Sequence, residues 1–84
     1  MGKLRNEQES YAREMGLTQR IEYTGGNAIY IGKAFPGTLT SEAKWQICKL
    51  TYDGDGNMTA LNWCQGLDSF EFVWDDRATA YNYS

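Results

Sequence analysis

Hydrophobic and polar residues alternate along most of the chain from residue 19 onward, with the two-residue period that is typical of β-strands. This alternation predicts strands over residues 19–24, 27–34, 43–52, 58–63, 69–74 and 78–83. Earlier in the chain, Leu4, Tyr11 and Met15 fall roughly on one face of a helix. So narrow a stripe predicts a short helix or an extended arm, because an isolated short helix is unstable in water. We therefore divide the chain into an N-terminal arm, residues 1–18, and a compact β-rich domain, residues 19–84.

Turn-forming residues separate the predicted strands and favour antiparallel neighbours. Gly25-Gly26 lies between the first two strands, and Pro36-Gly37 fits a type II turn because glycine accepts the positive φ that this turn requires. Asp53-Gly54-Asp55-Gly56-Asn57 has the composition of a hairpin connection. Five or six short strands joined in this way predict a mainly β fold, in the form of a small antiparallel β-sandwich or barrel-like domain.

The hairpin that joins residues 43–52 to residues 58–63 predicts a sheet with two apolar faces. If Tyr52 lies opposite Met58, the alternation shows which side chains share a face. One face then carries Trp45, Ile47, Leu61 and Trp63, and the other carries Cys48, Leu50, Tyr52, Met58, Ala60 and Cys64. A bulge at Cys48-Lys49 is the alternative, because it would return Leu50 and Tyr52 to the first face. Without that bulge, the arm, another sheet or another subunit would have to cover the second face.

Large apolar side chains of the alternating segments form the predicted core: Ile29, Ile31, Trp45, Ile47, Leu61, Trp63, Phe70, Phe72 and Trp74. The six tyrosines exceed what one core in a chain of 84 residues should hold, and tyrosine is enriched at protein interfaces. We therefore assign a second set to an intermolecular interface: Tyr11, Leu50, Tyr52, Met58, Tyr81 and Tyr83. Aromatic rings near Asp and Asn side chains could equally stack on sugar rings, so a carbohydrate-binding surface is an alternative.

Charge is distributed unevenly and argues against nucleic-acid binding. The net charge is −3, and from residue 50 onward six acidic side chains stand against the single basic residue Arg77. An acidic half gains nothing from phosphate contacts. No apolar stretch approaches the roughly 18 residues of a membrane span, so we expect neither nucleic acid nor a membrane as a partner.

The residue types that catalysis and metal binding need are scarce. The chain has two cysteines and no histidine, which argues against a zinc site and excludes a conventional catalytic triad. In the predicted hairpin Cys48 and Cys64 are diagonal neighbours about 7 Å apart, so we expect free thiols. We therefore expect no catalytic residues, no cofactor and no metal.

Two acidic motifs imitate functional sites, and a turn explains each of them better. Asp53-x-Asp55-x-Asn57 imitates the start of a calcium loop, but the sixth and twelfth loop positions would be Met58 and Cys64. Asp75-Asp76 is a pair of adjacent carboxylates, and neighbours on a strand point to opposite sides, which suits acid–base chemistry poorly. We expect one carboxylate to bind backbone amides and Arg77 to neutralise the other.

A set of short motifs runs through the segment from residue 27 to residue 84. It comprises Tyr30-Ile31-Gly32-Lys33-Ala34, Pro36-Gly37-Thr38, Thr40-Ser41-Glu42-Ala43, Trp45-Gln46-Ile47, Thr51-Tyr52-Asp53, Gly56-Asn57, Trp63, Phe70, Val73-Trp74-Asp75-Asp76-Arg77-Ala78 and Tyr83-Ser84. This pattern resembles a family of short proteins from tailed bacteriophages, which are described as structural or hypothetical phage proteins. The resemblance implies a virion component; it leaves out residues 1–26 and implies no functional residues.

The second apolar face and the resemblance together predict a non-enzymatic structural component of a tailed-phage virion, such as a capsid decoration, neck or tail accessory protein. Its partners would be copies of itself, in a homo-oligomer, and other virion proteins, with no small-molecule substrate. The first residues lack the apolar segment of a secretion signal, so we expect synthesis in the host cytoplasm and entry into the virion by assembly. A carbohydrate- or receptor-binding tip module, and a small cytosolic inhibitor or regulator of a host protein, are the alternatives.

Overall fold

The computed structural model describes residues 16–84. Of the predicted arm, only residues 16–18 are therefore described, and Tyr11 lies outside the described residues. The elements are β1 (Thr18–Thr24), β2 (Asn27–Ala34), β3 (Ala43–Tyr52), β4 (Met58–Trp63), β5 (Phe72–Val73) and a 3₁₀-helix (Trp74–Asp76). The sheet order is β1-β2-β3-β4, and β5 pairs with the beginning of β3. All pairs are antiparallel. The prediction of a mainly β domain built on an antiparallel sheet is confirmed.

The connections follow from local turn chemistry. Pro36-Gly37 forms the predicted turn, in which Gly37 has a φ of 90° and the Thr38 amide donates to the Phe35 carbonyl at 3.2 Å. In the β3–β4 hairpin, Asp53 Oδ1 accepts hydrogen bonds from the amides of Asp55 and Asn57, each at 2.9 Å. These bonds replace ladder hydrogen bonds where the chain reverses.

The register of the β3–β4 hairpin corrects the predicted division of side chains between the two faces. Tyr52 pairs with Met58 as expected, but Thr51 pairs with Ala60, so Thr59 is an extra residue in β4. A shift by one residue turns every following side chain of a strand to the other face. Leu61 and Trp63 therefore lie opposite Leu50 and Cys48 on the second face, while Cys64 belongs to the core. The irregularity is not at Cys48-Lys49, where the alternative prediction put it.

The core lies on one face of the sheet, beneath the C-terminal part of the chain. Its buried members are Ala34, Trp45, Ile47, Cys64, Phe72 and Trp74, with Tyr30, Tyr81 and Tyr83 packed against them. The Trp45 and Trp74 rings are 6.0 Å apart, and the Tyr81 ring meets the Phe72 ring edge-on at 5.2 Å. The layer over the sheet is thus β5, the 3₁₀-helix and the segment that follows them.

The C-terminal segment has less strand than the alternation predicts. Of residues 69–74 only Phe72 and Val73 form a strand, and over 78–83 a single bridge joins Tyr83 to Cys64. Some backbone hydrogen bonds here are of the turn type, for example from the Ala80 amide to the Asp76 carbonyl at 3.0 Å, and those of Asn82 and Ser84 join the end of the chain to residues 63–65. Alternation reports which side chains are buried, and a segment that lies over a sheet can bury alternate residues without a strand partner.

Gly32 in β2 creates the space in which Trp74 lies. A Cβ atom on Gly32 would be 2.5 Å from Cε3 of Trp74 and 3.2 Å from Cε3 of Trp45. The contact with Trp74 would be an overlap and the contact with Trp45 a tight one, so only glycine lets the Trp74 ring rest directly on the sheet backbone. This contact holds the C-terminal segment against β2.

Some of the predicted core residues are buried, and others are half-buried or exposed. Trp45, Ile47, Phe72 and Trp74 are buried, whereas Ile29, Ile31 and Trp63 are only half-buried. Leu61 is 45% exposed because the extra residue Thr59 turns it to the second face. Phe70 is 38% exposed because it precedes β5 and stacks on Phe35, at a ring distance of 6.0 Å, outside the buried cluster. Leu61, Trp63 and Phe70 therefore do not occupy the core positions that we expected, and Ile31 also lies on the second face.

Candidate interaction face

The side of the sheet opposite the core carries a continuous apolar surface, which we call the open face. One row of paired residues crosses all four long strands: Ile21, Ile31, Cys48 and Trp63. Leu50 and Leu61 form the next pair toward the hairpin, followed by Tyr52 and Met58. A polar row, made of Gln19, Lys33 and Gln46, borders the opposite end. The open face therefore has an apolar centre and one polar margin.

No residue between 16 and 84 packs over the open face as the C-terminal segment packs over the core. Ile21, Leu61 and Met58 are 41%, 45% and 55% exposed. Cys48 and Leu50 are each only 6% exposed, although both lie on this side of the sheet. Exposed apolar side chains that form a contiguous patch usually mark an interaction site.

A shallow hollow of about 180 Å³ lies in the open face. Its lining is Gln19, Ile31, Lys33, Gln46, Cys48, Leu61 and Trp63. The floor is apolar, and Lys33 contributes the one charge. Such a hollow suits an apolar side chain of a partner.

The predicted interface residues fall into two groups. Leu50, Tyr52 and Met58 belong to the open face, where the sequence placed a second apolar surface. The Tyr52 hydroxyl donates to the Ala28 carbonyl at 2.9 Å, which fixes this ring within the sheet. Met58 is the most exposed of the three and is free to contact a neighbour.

Tyr81 and Tyr83 occupy the opposite side of the molecule, in the layer over the core. The Tyr81 hydroxyl accepts a hydrogen bond from the Val73 amide at 3.0 Å, and the Tyr83 hydroxyl donates to the Arg77 carbonyl at 2.8 Å. Burial raises the pKa of Tyr83 well above its ordinary value. Both rings thus contribute to the fold of their own chain, and their assignment to an intermolecular interface stays a prediction.

The two cysteines are free, as predicted, but for a different reason. They lie on opposite faces of the sheet, Cys64 in the core and Cys48 in the floor of the hollow. Burial raises the pKa of both thiols. Because the thiolate is the reactive form, neither cysteine is suited to act as a nucleophile.

The two acidic motifs differ in the contacts of their carboxylates. Asp53 binds the amides of its own turn, and these hydrogen bonds hold the pKa of its carboxyl below the ordinary value. Residues 16–84 contain no group of three or more His, Cys, Asp or Glu side chains placed to hold a metal ion. Asp75 and Asp76 lie in the first turn of the 3₁₀-helix, and no side-chain hydrogen bond caps this helix. The expectation that one of these carboxylates binds backbone amides is therefore wrong.

Arg77 joins the C-terminal segment to the edge of the sheet, a role that we did not predict. Its Nε donates to Oε1 of Glu22 in β1 at 2.9 Å, and its guanidinium lies 4.4 Å from the centre of the Trp74 ring. We expected Arg77 to neutralise Asp75 or Asp76. The ion pair instead spans 55 positions of sequence, and no local pattern could have indicated it.

Within residues 16–84, no helix has the length and apolar composition that crossing a membrane requires. Comparisons of the chain with protein families, with curated proteins and with solved structures return no match. Among the described residues, the open face is therefore the feature that bears most directly on function.

Proposed function

We propose that the protein is a non-enzymatic structural component of a tailed-phage virion that works by contact between subunits. The observation that carries this proposal is the open face, an apolar surface that spans the sheet from Ile21 in β1 to Trp63 in β4. The resemblance of residues 27–84 to short tailed-phage proteins supplies the setting. Capsid decoration, neck and tail accessory positions all fit such a subunit.

Burial of the open face would stabilise an assembly without chemistry. Complete burial of one Leu, Ile or Met side chain contributes about 1.5–3 kcal/mol, so covering side chains that are now half exposed contributes about 1 kcal/mol each. A partner that binds only the folded chain also raises its stability by mass action. The expected partners are copies of this chain and other virion proteins, and the net charge of −3 disfavours nucleic acid.

Quantitative mass spectrometry of purified virions tests the proposal. The chain should be present at high copy number, in a constant ratio to the major capsid or tail protein. If the chain is absent from particles and co-purifies with a host protein instead, the structural role is refuted. That result would favour a small inhibitor or regulator of the host protein. Binding to a glycan array that an aromatic-to-alanine substitution removes would instead favour a tip module.

A surface variant tests which face is used. Leu61→Asp places a charge on the open face at a position that is already 45% exposed, so the fold should tolerate it. Leu50 is less suitable, because its 6% exposure makes loss of assembly and loss of folding hard to separate. Thr51→Asp is the matched control. Thr51 is exposed in β3, the strand that pairs with the strand of Leu61, and its side chain lies on the other side of the sheet.

A further inference from the structure

β1 is the end strand of the sheet, and its outer edge has backbone groups that no residue of the described chain binds. It pairs with β2 on one side, and the other backbone hydrogen bonds among residues 16–84 include none to residues 18–24. Proteins commonly protect such an edge with charged side chains, above all lysine, or with proline, or cover it. The charged residues of β1, Arg20 and Glu22, have opposite signs. The segment from Thr18 to Thr24 contains neither lysine nor proline. Among the described residues, nothing occupies this edge, so it is available for pairing with another strand.

The sequence of β1 is complementary to itself when two copies run in opposite directions. In an antiparallel pair centred on Ile21, Arg20 of one copy lies opposite Glu22 of the other. The outer pairs are Gln19 with Tyr23 and Thr18 with Thr24. Opposite charges and threonine pairs stabilise neighbouring strands. A twofold axis produces each of these contacts twice.

Neighbouring registers lose this complementarity. A pair centred on Arg20 sets two arginines against each other, and a pair centred on Glu22 sets two glutamates against each other, which is destabilising. A shift by a single residue sets Arg20 beside Ile21, which aligns the core side of one copy with the open face of the other. The register centred on Ile21 matches opposite charges and keeps both open faces on the same side.

The surroundings of Glu22 also suit a symmetric pair. Arg77 donates to Oε1 of Glu22 from within the same chain, which restricts the carboxylate at the edge of the sheet. Arg20 is exposed and forms no ion pair with any of residues 16–84. Its guanidinium can therefore approach Oε2 of Glu22 in a second copy. That carboxylate would then accept hydrogen bonds from two arginines, Arg77 of its own chain and Arg20 of the other copy.

We propose that two copies of this chain associate through β1, antiparallel and centred on Ile21, to form one continuous sheet. The Ile21 side chain, 41% exposed in the single chain, then meets its symmetry mate. The two open faces join into one apolar surface twice as wide, which is presented to the next component of the assembly. This inference rests on the proposed function in one respect, that the protein works through contacts between subunits.

Sedimentation equilibrium of the full chain tests the inference with charge reversals on both sides of the pair. Arg20→Glu and Glu22→Arg each place like charges opposite one another at two symmetric positions. The Kd of the dimer should rise about tenfold or more for each variant, since each cross-strand charge pair changes from attraction to repulsion. Lys44→Glu, at an exposed position in β3, is the matched control for Arg20→Glu, with the same change of net charge, and should leave the Kd unchanged.

Mixing the two variants provides the decisive measurement. In a mixed dimer, the two acidic positions of the R20E chain face the two basic positions of the E22R chain, so affinity should return to nearly the wild-type value. Native mass spectrometry distinguishes the mixed dimer from either homodimer by mass. Glu22→Arg also removes the ion pair to Arg77, so urea unfolding should first establish that this variant is folded.

Three results would overturn the inference: a monomeric wild-type chain at about 100 µM, unaltered dimers of both single variants, or a mixture that fails to associate. Dimers weakened by Leu61→Asp and unaffected by Arg20→Glu would place the contact on the open face, which contradicts the β1 pair and leaves the proposed function standing. A β1 dimer of a chain that is missing from purified virions would contradict the proposed function alone.

Discussion

Replacement of Gly32 by alanine should destabilise the fold, because the Trp74 ring occupies the space that the new methyl group needs. The methyl carbon would lie 2.5 Å from Cε3 and 2.7 Å from Cζ3 of Trp74. The ring has little room to retreat, since Trp45 packs on it at 6.0 Å and Arg77 lies 4.4 Å from its centre. Overpacking of this kind typically costs about 1–3 kcal/mol.

Backbone preference acts in the opposite direction and is smaller. Gly32 has no positive φ, and alanine in a strand is favoured over glycine by roughly 0.5–1 kcal/mol. We therefore expect a net loss of about 1–2 kcal/mol in the free energy of unfolding. For a domain of this size, that loss lowers Tm by roughly 4–16 °C.

Urea unfolding followed by tryptophan fluorescence measures this loss. Gly54→Ala is the matched control, because a Cβ atom at Gly54 meets nothing within 4 Å and its φ is not positive. The control should unfold at nearly the wild-type urea concentration. Trp74→Phe in the Gly32→Ala background should recover part of the loss, because the phenyl ring is smaller and contacts in one cluster couple. A Gly32→Ala variant as stable as the wild type would show that Trp74 does not rest on β2.

Three further changes probe the open face, the ion pair and the hairpin turn. Leu61→Asp should alter the free energy of unfolding by less than about 1 kcal/mol while reducing incorporation into virions, measured by mass spectrometry; equal loss of both would place Leu61 in the core. Glu22→Gln removes the ion pair to Arg77 and, since both side chains are partly exposed, should lower stability by about 0.2–1 kcal/mol; raising the salt concentration should shrink the difference between variant and wild type. Asp53→Ala should flatten the acid limb of the stability–pH curve: the folded pKa of Asp53 lies below the ordinary value of 3.8, so its contribution is present above about pH 4 and is lost as the pH falls through the folded pKa. An unchanged acid limb would mean that the Asp53 hydrogen bonds to its turn do not form in solution.

The elements of the sheet could be predicted from local sequence. The bounds of β2, β3 and β4 agree with the alternation, because a sheet that is apolar on one or both faces imposes a two-residue period on the residues that form it. The turn at Pro36-Gly37 and the hairpin at Asp53 depend on residues a few positions apart, so their conformations are encoded where they occur. The presence of a second apolar surface was likewise visible in the alternation of β3.

Contacts between distant residues were decided by the tertiary structure. The extra residue Thr59 moved Leu61 and Trp63 from the core to the open face, and no sequence pattern marks a bulge that one unpaired residue creates. Arg77 forms its ion pair with Glu22 and not with the adjacent aspartates, because the C-terminal segment reaches β1. The alternation of a sequence indicates which side chains are buried. Only the folded chain determines which residues cover them.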